Sequence, residues 1–341
     1  MTEPTFQPPD TQRALKAGLL SGVLGLIIII LVTLAVGRSH ITADTVSGIV
    51  NRTQILPMML SLMLMSVAFL FLGLRWQALF SPPHRPPGAG LAAILCAGLL
   101  LNSALPGPVG EFGAAWFAHK RYRAPLGMTL AAGLGARIIG MIMAASAALL
   151  CWMWADLPIP EGYETTIQAT TILIALLGLG LAAAVVLPDI IARMATLLLG
   201  RFNKLARLHA LIMEVTDALV ALRASGPGAF LRCLGWSAIA HSCVLFGIVM
   251  AAWSLGADPS IPGLLFTYAT TTAAVIVMFA LPGSQVGWDA IFLTLLTTTA
   301  GLSMSDALAV AIVVRVQQLC IMGAGAVALS WLARSDTHDD E

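Results

Sequence analysis

Apolar residues run along most of this chain in long, nearly unbroken stretches. Six stretches, 15–37, 56–80, 124–153, 166–187, 229–255 and 306–332, match the ~20 residues that a helix needs to cross the hydrocarbon of a bilayer. They predict six full transmembrane helices. The first follows Arg13 and Lys16 and imitates a signal peptide, but its apolar run from Ala17 to Val36 exceeds the usual signal core of ~7–15 residues. It reads as a retained span.

Two further stretches do not cross. Segment 89–104 runs into Leu105-Pro106-Gly107-Pro108-Val109-Gly110-Glu111, and segment 262–280 into Leu281-Pro282-Gly283-Ser284-Gln285-Val286-Gly287-Trp288-Asp289. Proline lacks a backbone donor and glycine tolerates unusual dihedrals, so each string predicts a broken helix. The basic residues say what the breaks mean, because cytoplasmic loops are enriched in Lys and Arg. A full crossing at 89–104 would put His119-Lys120-Arg121-Tyr122-Arg123 across the membrane from Arg75 and Arg85. A re-entrant hairpin over 89–118 puts them all on one face.

With the N-terminus inside, Arg38, Arg52 and the acidic 156–164 loop lie outside, and Arg193, Arg201, Lys204, Arg207, Arg223 and Arg232 return to the cytoplasm. A second hairpin, 262–300, then enters from the outside, and Arg334 ends in the cytoplasm. Of the 18 basic residues, 14 fall inside, 2 outside and 2 within the membrane.

The broken segments also look like copies. Pro106 and Pro282 are 176 residues apart; Glu111 and Asp289, like Arg137 and Arg315, are 178 apart. The acid-to-arginine spacing is therefore the same in both. Two membrane repeats, 13–153 and 154–332, with hairpins entering from opposite faces, make an inverted-topology repeat, whose substrate site lies near the midplane between the halves. The fold expected is an all-α polytopic membrane protein with about six full crossings and two oppositely oriented re-entrant hairpins. Between the halves, 189–225 reads as a cationic amphipathic helix, either interfacial or a solvated connector. Residues 1–12 read as a disordered cytoplasmic N-terminus and 333–341 as a cytoplasmic tail.

Composition agrees. Charged residues make up 10% of the 341 and hydrophobic ones 58%, too apolar a balance for a soluble domain, and the net charge of +1 argues against a nucleic-acid partner. The five cysteines stand singly, with no metal-ligand spacing, and no nucleophile elbow, phosphate loop or HExxH occurs. No metal, cofactor or catalytic residue is expected.

The candidate chemistry lies in charges placed among apolar residues. Glu111 and Asp289 follow the two breaks, while Arg137 and Arg315 lie in the helices that come next. A charge at the membrane centre costs ~2.5–3.5 kcal/mol on insertion scales, so it faces a partner or a wet cavity. One reading joins these four with Asn102, Pro106, Gly107, Gly110, Pro282, Gly283 and Gly287 in a polar pocket for a headgroup, ion or proton. The other pairs Glu111 with Arg137 and Asp289 with Arg315, each pair pinning its own hairpin. The threonines at 270–272, 294 and 297–299 read as packing groups bonded to helix backbones. His241 reads as a satisfied buried imidazole, and Trp76, Trp116, Trp152, Trp154, Trp253 and Trp331 as interfacial anchors.

At these residues the chain resembles the lysylphosphatidylglycerol synthase transmembrane-region family, over roughly 15–332. The resemblance rests on Arg75-Trp76, Leu105-Pro106-Gly107 through Gly110-Glu111, Arg137, Leu281-Pro282-Gly283 through Asp289-Ala290, and Arg315. It implies a flippase-like membrane domain that moves or accommodates polar lipids, here without the headgroup-modifying synthase. Ala114 and Trp288 stand where members often carry arginine, which leaves the substrate open. The expectation is a lipid flippase or scramblase-like transporter in a bacterial cytoplasmic (inner) membrane, both termini cytoplasmic. Its expected partners are membrane lipids, a phospholipid or another polar lipid, with homo-oligomers open. The alternatives are a small-solute or ion transporter or channel, and an intramembrane lipid-modifying transferase with Glu111 or Asp289 as base.

Overall fold

The structure is a computed structural model that describes residues 53–80, 83–104, 109–199, 226–278 and 284–335, with isolated positions at 47, 51 and between 209 and 223. Ten helices follow one another: α1 (Ile55–Gln77), α2 (Gly88–Ala104), α3 (Val109–Tyr122), α4 (Leu126–Trp154), α5 (Glu164–Val186), α6 (Pro188–Leu199), α7 (Pro227–Ser254), α8 (Ile261–Met278), α9 (Ser284–Thr298) and α10 (Met304–Ser335). No strand occurs among the described residues.

Five helices are long and apolar enough to cross a membrane: Ile55–Gln77, Leu126–Trp154, Glu164–Ala183, Pro227–Ser254 and Met304–Gly325. They coincide with five of the six expected crossings; the sixth, 15–37, lies outside the described residues, as do 1–12 and most of 200–225. Leu56, Leu176 and Leu179 stay largely exposed on these helices, which suits lipid as solvent. The amphipathic segment begins as a separate helix, α6, with Pro188 as its first residue. Ala195 is buried while Ile190, Met194, Leu197 and Leu198 are exposed.

Small residues let the helices meet closely, as they do where lipid supplies no hydrophobic drive between helices. Gly247 of α7 lies against Met65 and the Ser61 carbonyl of α1. There the Ser61 hydroxyl donates to the Gly247 carbonyl at 2.6 Å, and Gln317 of α10 donates to Ser61 Oγ at 2.9 Å. Three helices are thereby tied at one polar crossing.

The described helices part on either side of both proline-glycine strings: α2 is followed to Ala104 and α3 from Val109, and α8 to Met278 and α9 from Ser284. The intervening residues, with Pro106, Gly107, Pro282 and Gly283, lie outside the described ones. Each pair of helices folds back on itself. Gly90 faces Tyr122 while Gly98 faces Gly110 and Ala114, so α2 and α3 run antiparallel. In the second pair the Ser260 N–H donates to the Ala300 carbonyl at 2.9 Å, and Gly263 lies directly on the Thr299 backbone. The Thr267 and Thr299 hydroxyls are 2.9 Å apart.

Most of the threonines are packing groups: Thr271, Thr294, Thr297, Thr298 and Thr299 each donate to a carbonyl of their own helix. Thr270 differs, its buried hydroxyl having no partner among the described residues. Each hairpin leans on the far half of the chain: α2 packs along α10, with Gly325 against the Cys96 backbone, and α8 packs along α4.

Among the described tryptophans, Trp76 departs from its expected place. Trp154 is 77% exposed at the end of α4, and Trp253 is exposed near the end of α7, as interfacial anchors should be. Trp76 is only 2% exposed, and its indole N–H donates to the Thr129 carbonyl at 3.3 Å. The reason is coverage: the last turn of α1 packs into a core with Leu91, Ala132 and Ala136 from α2 and α4.

Candidate functional site

The interior of the bundle holds a partly open cavity of about 310 Å³. One face of α1 supplies Phe69, Leu72, Arg75 and Trp76, positions that follow the helical period. Opposite, α4 presents Gly133, Ala136, Arg137, Gly140 and Met141, a stripe of small residues interrupted by one cation and one thioether. The first hairpin contributes Leu95, Gly98 and Leu99 from α2 and Gly110 and Ala114 from α3. The second half closes the space with Ala240, His241 and Val244 from α7 and Tyr268 and Thr272 from α8. Both halves of the chain therefore build one chamber. Its wall is mostly apolar, with a few polar groups converging, the composition typical of small-ligand sites.

The polar groups gather around Gly140. A side chain there would run into the Arg75 guanidinium and come within 3.2 Å of His241 Nε2, so the glycine leaves the room that both occupy. The His241 Nδ1 is 2.6 Å from the Tyr268 hydroxyl, and the two rings lie 5.8 Å apart. His241 Nε2 and Arg75 Nε are both buried without a hydrogen-bond partner among the described residues. Arg75 is within electrostatic reach of Arg137, His241 and Tyr268. In a site of low dielectric, neighbouring cations act far more strongly than in water.

Of the residues singled out in the sequence, Arg137 and Gly110 line this cavity. Glu111 and Asn102 lie on α3 and α2, with their side chains outside the described set. Asp289 and Arg315 lie elsewhere. They form a direct ion pair between α9 and α10, 7% and 3% exposed, and Arg315 Nη1 also donates to Gln318 at 2.8 Å. Gly287 is half-buried one turn-half earlier on α9, and Trp288 stacks on Phe292 at 4.7 Å. Neither glycine nor tryptophan lines the cavity. Among the described residues no group of three or more His, Cys, Asp or Glu could hold a metal.

Arg75 and His241 depart from their sequence readings. Arg75 counts by sequence among the cytoplasmic-face cations, at the end of the span 56–80; in the last turn of α1 its side chain lines the cavity. The available signal was its phase: Phe69, Leu72, Arg75 and Trp76 share a face, so a cation there points where the aromatic residues point. His241 reads by sequence as a satisfied imidazole; the structure holds Nδ1 firmly at Tyr268 and leaves Nε2 only a weak contact with the Gly140 backbone. Tyr268 and Thr272 carried no signal that distinguishes them from core residues.

A family model described as "Lysylphosphatidylglycerol synthase TM region" matches residues 18–325 of this chain. No curated protein and no solved structure matches it.

Proposed function

The chain belongs to the lysylphosphatidylglycerol synthase transmembrane-region family and is an integral membrane protein, and on that premise we propose that it is a lipid flippase or scramblase-like transporter. The polar headgroup enters the cavity between the halves while the acyl chains stay in the bilayer. The observation that carries this reading is the chamber itself. At about 310 Å³ it has room for a headgroup and not for a whole lipid, and its cationic corner lies inside an otherwise apolar wall.

In this proposal the hairpins α2–α3 and α8–α9 are re-entrant and enter from opposite faces of a bacterial inner membrane, both termini cytoplasmic. Their antiparallel packing supports it, as does the exchange by which each hairpin's first helix leans on the last helix of the other half. Such an arrangement is what an inverted repeat with a site between its halves requires.

Transport is tested with purified protein in vesicles carrying an acyl-labelled fluorescent phospholipid, the outer leaflet then being quenched by a membrane-impermeant reductant. Quenching is expected to pass well beyond the outer-leaflet fraction. Met141→Trp, which fills the chamber, should return it to the level of protein-free vesicles while the melting temperature stays near that of the parent. Wild-type vesicles no faster than protein-free ones overturn the proposal. If the same vesicles instead take up a small anion, the site serves a solute.

The hairpin topology has its own test. A cysteine at Lys120, on a background without native cysteines, is expected to react with an impermeant maleimide only from the cytoplasmic face. Labelling from outside in intact cells overturns the re-entrant arrangement.

A further inference from the structure

Among the described residues Arg75 is a buried cation with no counter-charge beside it. Its guanidinium lies inside the bundle, its Nε is buried without a hydrogen bond, and no ion pair to it occurs among the described residues. Charges in such surroundings are normally paired or face a polar ligand. His241 stands beside it, held through Nδ1 by Tyr268, while Nε2 has no well-formed hydrogen bond and only a weak contact with the Gly140 backbone that a ligand can displace. Gly140 keeps the space between these two groups and the cavity clear.

We propose that Arg75 and His241 form an oxyanion-binding corner that takes the phosphate of an anionic lipid headgroup; this rests on the cavity being the headgroup chamber. A guanidinium presents a planar fork of donors that matches a phosphate bidentately. With the Tyr268 hydroxyl donating to Nδ1, the neutral imidazole carries its proton on Nε2 and presents one more donor to the same ligand. Arg137 lines the same cavity on the α4 side. The apolar remainder of the wall suits the glycerol and upper acyl carbons that accompany a lipid phosphate and not a free one.

Phosphatidic acid and diacylglycerol differ only in the phosphate, which makes them the matched probes. Binding of their dihexanoyl forms and of inorganic phosphate to the purified full chain is measured by native mass spectrometry and by ligand-induced shifts in melting temperature. Phosphatidic acid is expected to bind at least tenfold tighter than diacylglycerol and to raise the melting temperature of the unaltered protein. Arg75→Gln should erase that preference, Arg75→Lys should keep part of it, and His241→Phe should reduce it severalfold. Diacylglycerol binding should not change in any of the three.

Equal binding of the two lipids by the unaltered protein overturns the proposal, whatever the variants do, and so does an undiminished preference in folded Arg75→Gln. Inorganic phosphate binding as tightly as phosphatidic acid overturns the assignment to lipid. These readouts are independent of transport. Tracer movement without a phosphate preference leaves the transporter reading standing and removes this one; a phosphate preference without tracer movement does the reverse.

Discussion

Asp289→Asn is expected to destabilise the protein by about 3–5 kcal/mol, because it removes the carboxylate in direct contact with the buried Arg315 guanidinium. The two side chains are in direct contact between α9 and α10, and Arg315 is 3% exposed. Arg315 retains Gln318 as a partner, but a neutral amide cannot replace the lost charge. Unfolding of the detergent-solubilised protein by heat or denaturant, read side by side with the parent, gives the measurement. Asp289→Asn combined with Arg315→Gln should recover part of the loss, because the double variant buries no net charge. An Asp289→Asn protein as stable as the parent would show that the pair contributes nothing to holding the second hairpin on α10.

Gly140→Val is expected to lower lipid transport at least tenfold with little change in stability. Its first carbon already meets the end of the Arg75 side chain and lies 3.2 Å from His241 Nε2. The guanidinium is the far end of a flexible stem and can swing away, so the bundle accommodates the bulk by moving the cation out of place. Loss of function therefore comes from displacement of Arg75 and from lost volume. Gly127→Val on the same helix meets nothing within 4 Å and serves as the control. Rates are read from tracer quenching at fixed protein-to-lipid ratio, and melting temperatures alongside. Transport at the parental rate in Gly140→Val would place the pathway outside this cavity. A large fall in melting temperature would mean that the site is packing and not binding surface.

These two residues illustrate different degrees of legibility. The Asp289–Arg315 pair was one of two alternatives that the sequence left open, since a 26-residue spacing across a broken helix fits either a pin or a shared pocket. The structure joins the pair away from the cavity, and places Arg137, which stands at the same 26-residue spacing from Glu111, on the cavity wall. Identical spacing thus puts the two arginines in different places, because each lies among whichever helices pack against it. Gly140 had no signal of its own. A glycine in an apolar helix is as consistent with close helix packing as with a vacant space, and only the neighbours tell them apart.

By itself the sequence determined the helical class, five of the crossings, and the two interruptions, all of which follow from local chemistry. Bilayer thickness sets the length of an apolar helix, and proline with glycine stops one wherever the fold places it. Only the tertiary structure decided which polar groups meet. Arg75, Arg137, His241 and Tyr268 come from four helices and are up to 193 residues apart in the chain. Their meeting depends on how α1, α4, α7 and α8 rotate about their axes when they pack, and in a membrane that rotation is settled by small residues and van der Waals fit, which leave no strong mark in hydropathy.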